Sequence, residues 1–342
     1  MKFGIFDHMD RAAVPLAQQY EERLRLIEAY ERAGFYAYHI AEHHATPLGM
    51  APSPSVFLAA VAQRTRRLRF GPVVYPLTFH HPLRVAEEIC MLDHLSGGRL
   101  ELGVGRGASP HEMTYYGVDA ANASGLYHEA FAVMMQFLTS ETVTFEGKFF
   151  TFRDMPVTIA PLQRPHPPLW YGAAYPDGVV WPARNKVNVV CNGPPAAIRA
   201  ITDRYRAEWA AAGNHPADIP LMAMSRFIVI AERADGALAI ARRGYRQWFA
   251  AFILLWEKHG TRPRNAPYPD NFDEMQRTGL GIAGTPEMVR DTLLGQIAQA
   301  QNNYQICRFA FGDLTFDESL RSLDLFTRHV MPALVETRQA AE

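Results

Sequence analysis

Eight apolar runs of strand length, separated by longer segments of helical period, predict an α/β protein whose parallel sheet closes into a barrel. The count carries much of this, because a doubly wound open sheet more often stops at about five to seven strands. Composition agrees: 342 residues, 48% hydrophobic and 20% charged, suit a folded globular chain. Barrels of this class often exceed the usual domain size, so one domain over residues 1–342 is expected.

The strands are expected at 3–6, 36–40, 69–74, 99–104, 169–172, 187–191, 221–230 and 304–311. Between the first two, Leu16, Tyr20, Leu24, Ile27 and Tyr30 recur at spacings of three and four, which gives one apolar helix stripe that stops near Gly34. Similar helices are expected near 53–64, 83–95, 196–212, 236–258, 286–300 and 316–330. Thr285 before Pro286 marks a helix start, a hydroxyl cap followed by a ring already fixed near helical φ. Two insertions interrupt the alternation, after strands four and seven. Residues 108–167 hold a loop, a helix near 126–138 and a hairpin, "TVTFEGKFFTF", turning at Glu146, Gly147 and Lys148. Residues 259–284 are rich in Pro, Asn and Asp with little periodicity, and a loop that long reads as a mobile lid.

The formal net charge of −1 and a near-neutral pI argue against a nucleic-acid footprint. The basic run "RTRRLRF" at 64–70 falls where a helix ends, and cations there complement the helix dipole. Cys90, Cys191 and Cys307 lie far apart in apolar segments without metal-site or disulfide spacing, which suits a reducing compartment. The opening "MKFGIFDHMD" reads as a strand rather than a secretory leader, and no apolar run approaches a membrane span. A soluble cytoplasmic protein is the expectation, without membrane or nucleic-acid partners.

In a closed parallel barrel the chemistry gathers at the C-terminal ends of the strands. Those ends read "AEHH", "VVYPLTFHHP", "GVGRGASP" and "GAAYPDG" after strands two to five. His43 and His44 are adjacent, so in extended backbone they point to opposite sides, as do His80 and His81, and a metal site is poorly supported. His43 taken alone is either a loop histidine bound to a backbone carbonyl or a functional group, and Glu42 either orients a neighbour or pairs with an arginine. "GVGRG" lacks the third glycine of a dinucleotide loop, whereas Arg106, flanked by glycines, fits a phosphate. "GAAYPDG" precedes a short helix whose N–H groups favour an anion, unless Asp177 simply caps it.

The runs "EHHATPLGMAPSPSVFLAA", "LRFGPVVYPLTFHHPLRVAEEICMLDHLSGGRLELGVGRG", "PPLWYGAAYPDG" and "GTPEMVRDTL", with the closing helix up to Met331 and Pro332, resemble the bacterial-luciferase-like flavin-dependent monooxygenases over nearly the whole chain. The resemblance implies a (β/α)8 TIM barrel that binds FMN, or reduced FMNH2, at its mouth. By position, His43 looks like the catalytic histidine that helps form and protonate or deprotonate a flavin hydroperoxide. The bond between Val73 and Val74 matches a frequent non-prolyl cis peptide under the flavin ring, with Tyr75 beside it. Arg106 matches the phosphate-contacting arginine, and Ala174, Tyr175 and Gly178 fall in the loop on the other side of that phosphate. Gly105 stands where luciferase has a reactive cysteine, and Tyr175 and Pro176 replace acidic and hydroxyl residues, which leaves light emission unsupported.

The function so implied is an FMNH2-dependent monooxygenase that inserts one atom of O2 into a small apolar aldehyde, ketone or alkane. Its reduced flavin comes from a separate NAD(P)H:flavin reductase, since this chain shows no second nucleotide domain, and it is expected as a homodimer. Deazaflavin F420 as hydride carrier on the same fold is the alternative. A non-catalytic flavin-binding partner subunit is a third reading, against which the presence of His43 and Arg106 speaks.

Overall fold

The eight expected strands form, and they close into a ring. In the computed structural model, which describes residues 1–263 and 268–339, the strands are β1 (Lys2–Asp7), β2 (Ala37–Ile40), β3 (Arg69–Pro72), β4 (Tyr75–Pro76), β5 (Leu102–Gly105), the hairpin β6 (Thr142–Glu146) and β7 (Thr151–Pro156), β8 (Leu169–Gly172), β9 (Asn188–Cys191), β10 (Met222–Ile230), β11 (Gly281–Gly284) and β12 (Tyr304–Arg308). Hydrogen bonding runs β3-β2-β1-β12-β10-β9-β8-β5-β4, all parallel. A bridge between Phe70 of β3 and Leu100, just before β5, closes the ring beside the β4–β5 pairing.

The third expected strand is broken in two, β3 and β4, with the cis peptide Val73–Val74 between them. Close approach of this stretch to β5 requires glycine: a Cβ on Gly105 would sit 2.7 Å from a methyl of Val74. That is a physical reason for the glycine where the resemblance places a cysteine.

All nine residues of β10 are buried, as a strand covered on both faces demands. Inside the ring, His39 Nε2 meets the Tyr304 hydroxyl at 3.0 Å, while Trp170 Nε1 donates to Glu101 at 2.6 Å. Tyr304 fits only because residue 4 is glycine, where a Cβ would lie 1.7 Å from the hydroxyl. Burial lowers the pKa of His39 to about 3, so the ring stays neutral at ordinary pH.

The helices start as expected. Pro54, Pro82, Pro195 and Pro286 occupy the first turns, and the Thr285 hydroxyl accepts from the Met288 amide at 3.4 Å. Arg64, at the end of the helix Pro54–Arg64, pairs with Glu21 and Glu28, and Glu31 accepts the amides of Arg66, Arg67 and Leu68. The basic run is a structural knot between neighbouring helices. Cys90, Cys191 and Cys307 are buried; burial pushes the first two thiols up to about 12 and holds the third well above the ordinary thiol value.

The segment 259–284 departs from the expectation of a loop. Its second half contains the helix Phe272–Arg277 and strand β11, which pairs with β10; Phe272, Met275 and Leu280 are almost fully buried. Of the expected lid, residues 264–267 lie outside the described residues. Among the described residues no helix is long and apolar enough to cross a membrane.

Candidate active site

The strand ends surround a cavity of about 880 Å³ at the C-terminal mouth of the barrel. The tripeptide Glu42–His43–His44, directly after β2, fans out into it and behind it. His43 lines the cavity, whereas His44 turns away to bind Glu42 at 2.8 Å through Nε2 and the Tyr116 hydroxyl at 2.7 Å through Nδ1. The buried Glu42 carboxylate also accepts from His80 Nε2 at 2.8 and 3.0 Å. Glu42 therefore ties the end of β2 to the turn after β4, with two histidines as partners rather than an arginine.

His43 has a carboxylate of its own. Its Nδ1 lies 3.1 Å from Glu112, which also accepts the His44 amide at 2.9 Å. Burial by itself would raise the pKa of Glu112, but the hydrogen bond and charge of His43, with the His44 amide, together hold it below the ordinary carboxylate range. An ionised Glu112 makes Nδ1 of His43 the donor. Its Nε2 is then the acceptor of the neutral ring and can take or return a proton on the cavity side. Glu112 reaches this position from the third residue of the helix Pro110–Tyr115, capped by the Ser109 hydroxyl at 3.3 Å.

Val73, Val74, Arg106 and Ala174 line the same cavity. Arg106 is exposed and enters no ion pair or side-chain hydrogen bond among the described residues, while its carbonyl accepts from Thr78 at 2.7 Å. Three sequence-derived candidates lie elsewhere. Tyr75 is buried with its hydroxyl 2.7 Å from Ser55, facing away from the cavity, because it alternates with Val74. Tyr175, directly after Ala174, and Gly178 in the turn that follows lie outside the lining; Tyr175 is 58% exposed, and the Gly178 amide donates to its carbonyl at 3.1 Å. Asp177 does not cap the short helical turn Pro176–Val179 with its side chain.

Other lining residues carried no flagged signal: His8 after β1, Asn192 after β9, Arg308 at the end of β12, and Tyr268. Phe252 and Trp256 of the helix Ala234–Lys258, with Thr261, Arg262 and Pro263, form the outer edge. That edge is joined to the insertion after β5 by His111, which meets Thr261 at 2.8 Å, and by Tyr115, which meets His259 at 3.0 Å.

The residues present fit a flavin mononucleotide. The rim offers an unpaired guanidinium, and the cavity floor offers apolar surface at Val73 and Val74 with a histidine–carboxylate pair beside it.

Comparison with known proteins gives the same direction. The family model described as luciferase-like monooxygenase matches residues 1–302. The uncharacterized protein y4wF of Sinorhizobium fredii is 44% identical over 94% of this chain and 93% of its own length. Limonene 1,2-monooxygenase of Rhodococcus erythropolis is 31% identical over 78% of this chain and 68% of its own, and the oxygenase component of the flavin-dependent trigonelline monooxygenase of Acinetobacter baylyi is 26% identical over 99% and 97%. Among solved structures, the monooxygenase RslO1 from Streptomyces bottropensis superposes with a TM-score of 0.87 at 28% identity, covering 97% of this chain and 99% of that one.

Proposed function

Because the chain belongs to the luciferase-like monooxygenase family, we propose that it is the oxygenase half of a two-component system. It takes FMNH2 from a separate NAD(P)H:flavin reductase and inserts one oxygen atom of O2 into a small apolar aldehyde, ketone or alkane. Being named an oxygenase component, the trigonelline relative supports the division of labour. One observation carries the reading: an unpartnered arginine and a carboxylate-held histidine face one largely apolar cavity at the barrel mouth.

Arg106 would hold the FMN phosphate, with Ala174 on its other side and Tyr175 and Gly178 in the loop that follows. Val73 and Val74 would support the ring system. Bound reduced FMN supplies the electrons and the reactivity toward O2. His43 would move a proton at Nε2, with Glu112 fixing the tautomer through Nδ1. The wall formed by Phe252 and Trp256 with Pro263 and Tyr268 would keep water out, and within 259–284 we assign the cover role to Pro263 and Tyr268 rather than to its packed second half. All of these groups belong to the one barrel domain. For a homodimer, support comes from Val56, Met91 and Leu95, which are 74%, 54% and 49% exposed on two helices that pack together.

Absorbance titrations with FMN and with F420 test the cofactor; saturable spectral change with F420 alone would reverse the choice. Arg106→Ala should weaken FMN by roughly 10- to 100-fold, the loss of a charge-assisted contact, and leave riboflavin nearly unchanged. Equal losses for both would take Arg106 out of the phosphate site.

A further inference from the structure

The wall of the cavity opposite Arg106 carries a hydrogen-bond donor with no partner among the described residues. His8 follows β1 directly, and its ring is set by three others: Phe6 at 4.9 Å, Trp248 at 5.5 Å and His43, stacked at 5.7 Å. The Trp248 Nε1–H donates to His8 Nδ1 at 3.3 Å. An indole nitrogen can only donate, so Nδ1 is the acceptor and the proton of the neutral ring sits on Nε2. Burial, then the neighbouring charges of Arg308 and His43, holds the His8 pKa well below that of ordinary imidazole, which keeps the ring neutral. Among the described residues its Nε2 has no hydrogen-bond partner, and it is not among the atoms sealed inside the protein.

Arg308 stands behind this donor. Its Nε donates to Ser225 at 2.9 Å, and its Nη2 to Asn192 at 3.1 Å and Tyr268 at 3.2 Å. The guanidinium lies 4.5 Å from the Phe6 ring and 4.6 Å from that of Phe227. No carboxylate pairs with it among the described residues, and Nη1 is enclosed without a partner. This wall is therefore positively biased, and it presents the neutral His8 N–H to the cavity beside His43.

We infer that His8 is a specificity-determining residue which donates from Nε2 to the carbonyl oxygen of the substrate, so that the enzyme takes aldehydes or ketones in preference to alkanes. The inference rests on the proposed function for placing a substrate beside His43. A carbonyl oxygen carries the partial negative charge that the Arg308 field favours and needs one donor. A hydrocarbon of the same shape leaves the N–H unmatched, which is how polar sites reject apolar analogues.

Calorimetric titration with cyclohexanone and cyclohexane, with and without FMN, tests this. Wild-type protein should bind the ketone about tenfold or more tighter than the hydrocarbon. His8→Leu should bring the two within about twofold, His8→Gln, which keeps an N–H, should recover a clear preference, and neither should change FMN affinity. An unchanged ketone preference in His8→Leu overturns the inference, as does tighter binding of the hydrocarbon by the wild type. Loss of FMN in His8→Leu with the preference retained would assign His8 to the flavin and overturn it equally. The flavin-free arm separates the two readings: protein that discriminates the ketone but takes no FMN sinks the cofactor assignment, while protein that binds FMN without discriminating sinks only the role of His8.

Discussion

Arg106 and Arg308 follow or close strands that lie opposite each other in the ring, β5 and β12, and both line the cavity. Their surroundings differ in nearly every respect that decides what a guanidinium can do. Arg106 is exposed, flanked by Gly105 and Gly107, and without a polar partner for its head among the described residues. Arg308 is 3% exposed, with three hydrogen bonds and an aromatic ring nearby on each side. The first can follow an anion that enters from water and close on it. Held in place as it is, the second acts through its field on whatever is already inside. One barrel mouth thus has a gripping side and a fixed side, with His43 and His8 stacked between them.

The largest effect expected from breaking this arrangement lies between the two sides. His43→Ala should reduce product formed per FMNH2 oxidised by roughly two to four orders of magnitude while FMN still binds at Arg106. Unchanged coupling would mean that His43 only fills space between the walls.

Stability should separate the arginines next. Arg308→Ala removes three hydrogen bonds and leaves a void near Phe6 and Phe227, so a loss on the order of 2–4 kcal/mol is expected in denaturant melts. Arg106→Ala should stay within about 0.5 kcal/mol. Similar losses for the two would erase the contrast.

The smallest effect concerns the charges beneath the fixed side. Asp10 is buried and accepts the amide of Gly312, just past β12. Burial foremost, with Asp7 adding to it against the opposing pull of Arg23, raises its pKa to about 7. A carboxyl whose folded pKa exceeds its unfolded value near 4 contributes most below that value, and the contribution is lost as pH rises through about 7. Asp10→Asn should therefore gain roughly 2 to 3 kcal/mol on the wild type between pH 5 and pH 8, since each pH unit between the two pKa values is worth about 1.4 kcal/mol. Parallel melting curves for both proteins across that range would show that Asp10 is not ionising there.

The gripping side was legible in the sequence, and the fixed side largely was not. "AEHH" and "GVGRG" cluster unusual residue types just after apolar runs, so the strand-end rule finds His43 and Arg106, whereas Val73 and Val74 are singled out only by the family resemblance. The same rule reaches His8 in "FDHMD" and Arg308 in "ICRFAF", but one is a lone histidine and the other a cation within an apolar run. Their meaning depends on Trp248, Asn192 and Tyr268, brought in from distant segments. Glu112 had a local sign, the Ser-Pro-His-Glu start of a helix, but its partner His43 lies 69 residues away. In 259–284 the apolar positions Phe272, Met275, Leu280 and Ile282 were hidden because the helix they belong to is only six residues long and the strand four, too short for a period to stand out.

The burial of all three thiols has a bearing on survival under oxidative load. An enzyme that meets O2 with a reduced flavin sheds hydrogen peroxide whenever turnover fails to reach product, and peroxide attacks thiolates first. Here Gly105 puts no sulfur at that point of the mouth, and Cys90, Cys191 and Cys307 are held as protonated thiols behind packed side chains. The protein should tolerate its own side product without forming sulfenic acids or mixed disulfides, and a cysteine placed on its surface would be the single handle for a thiol-reactive probe.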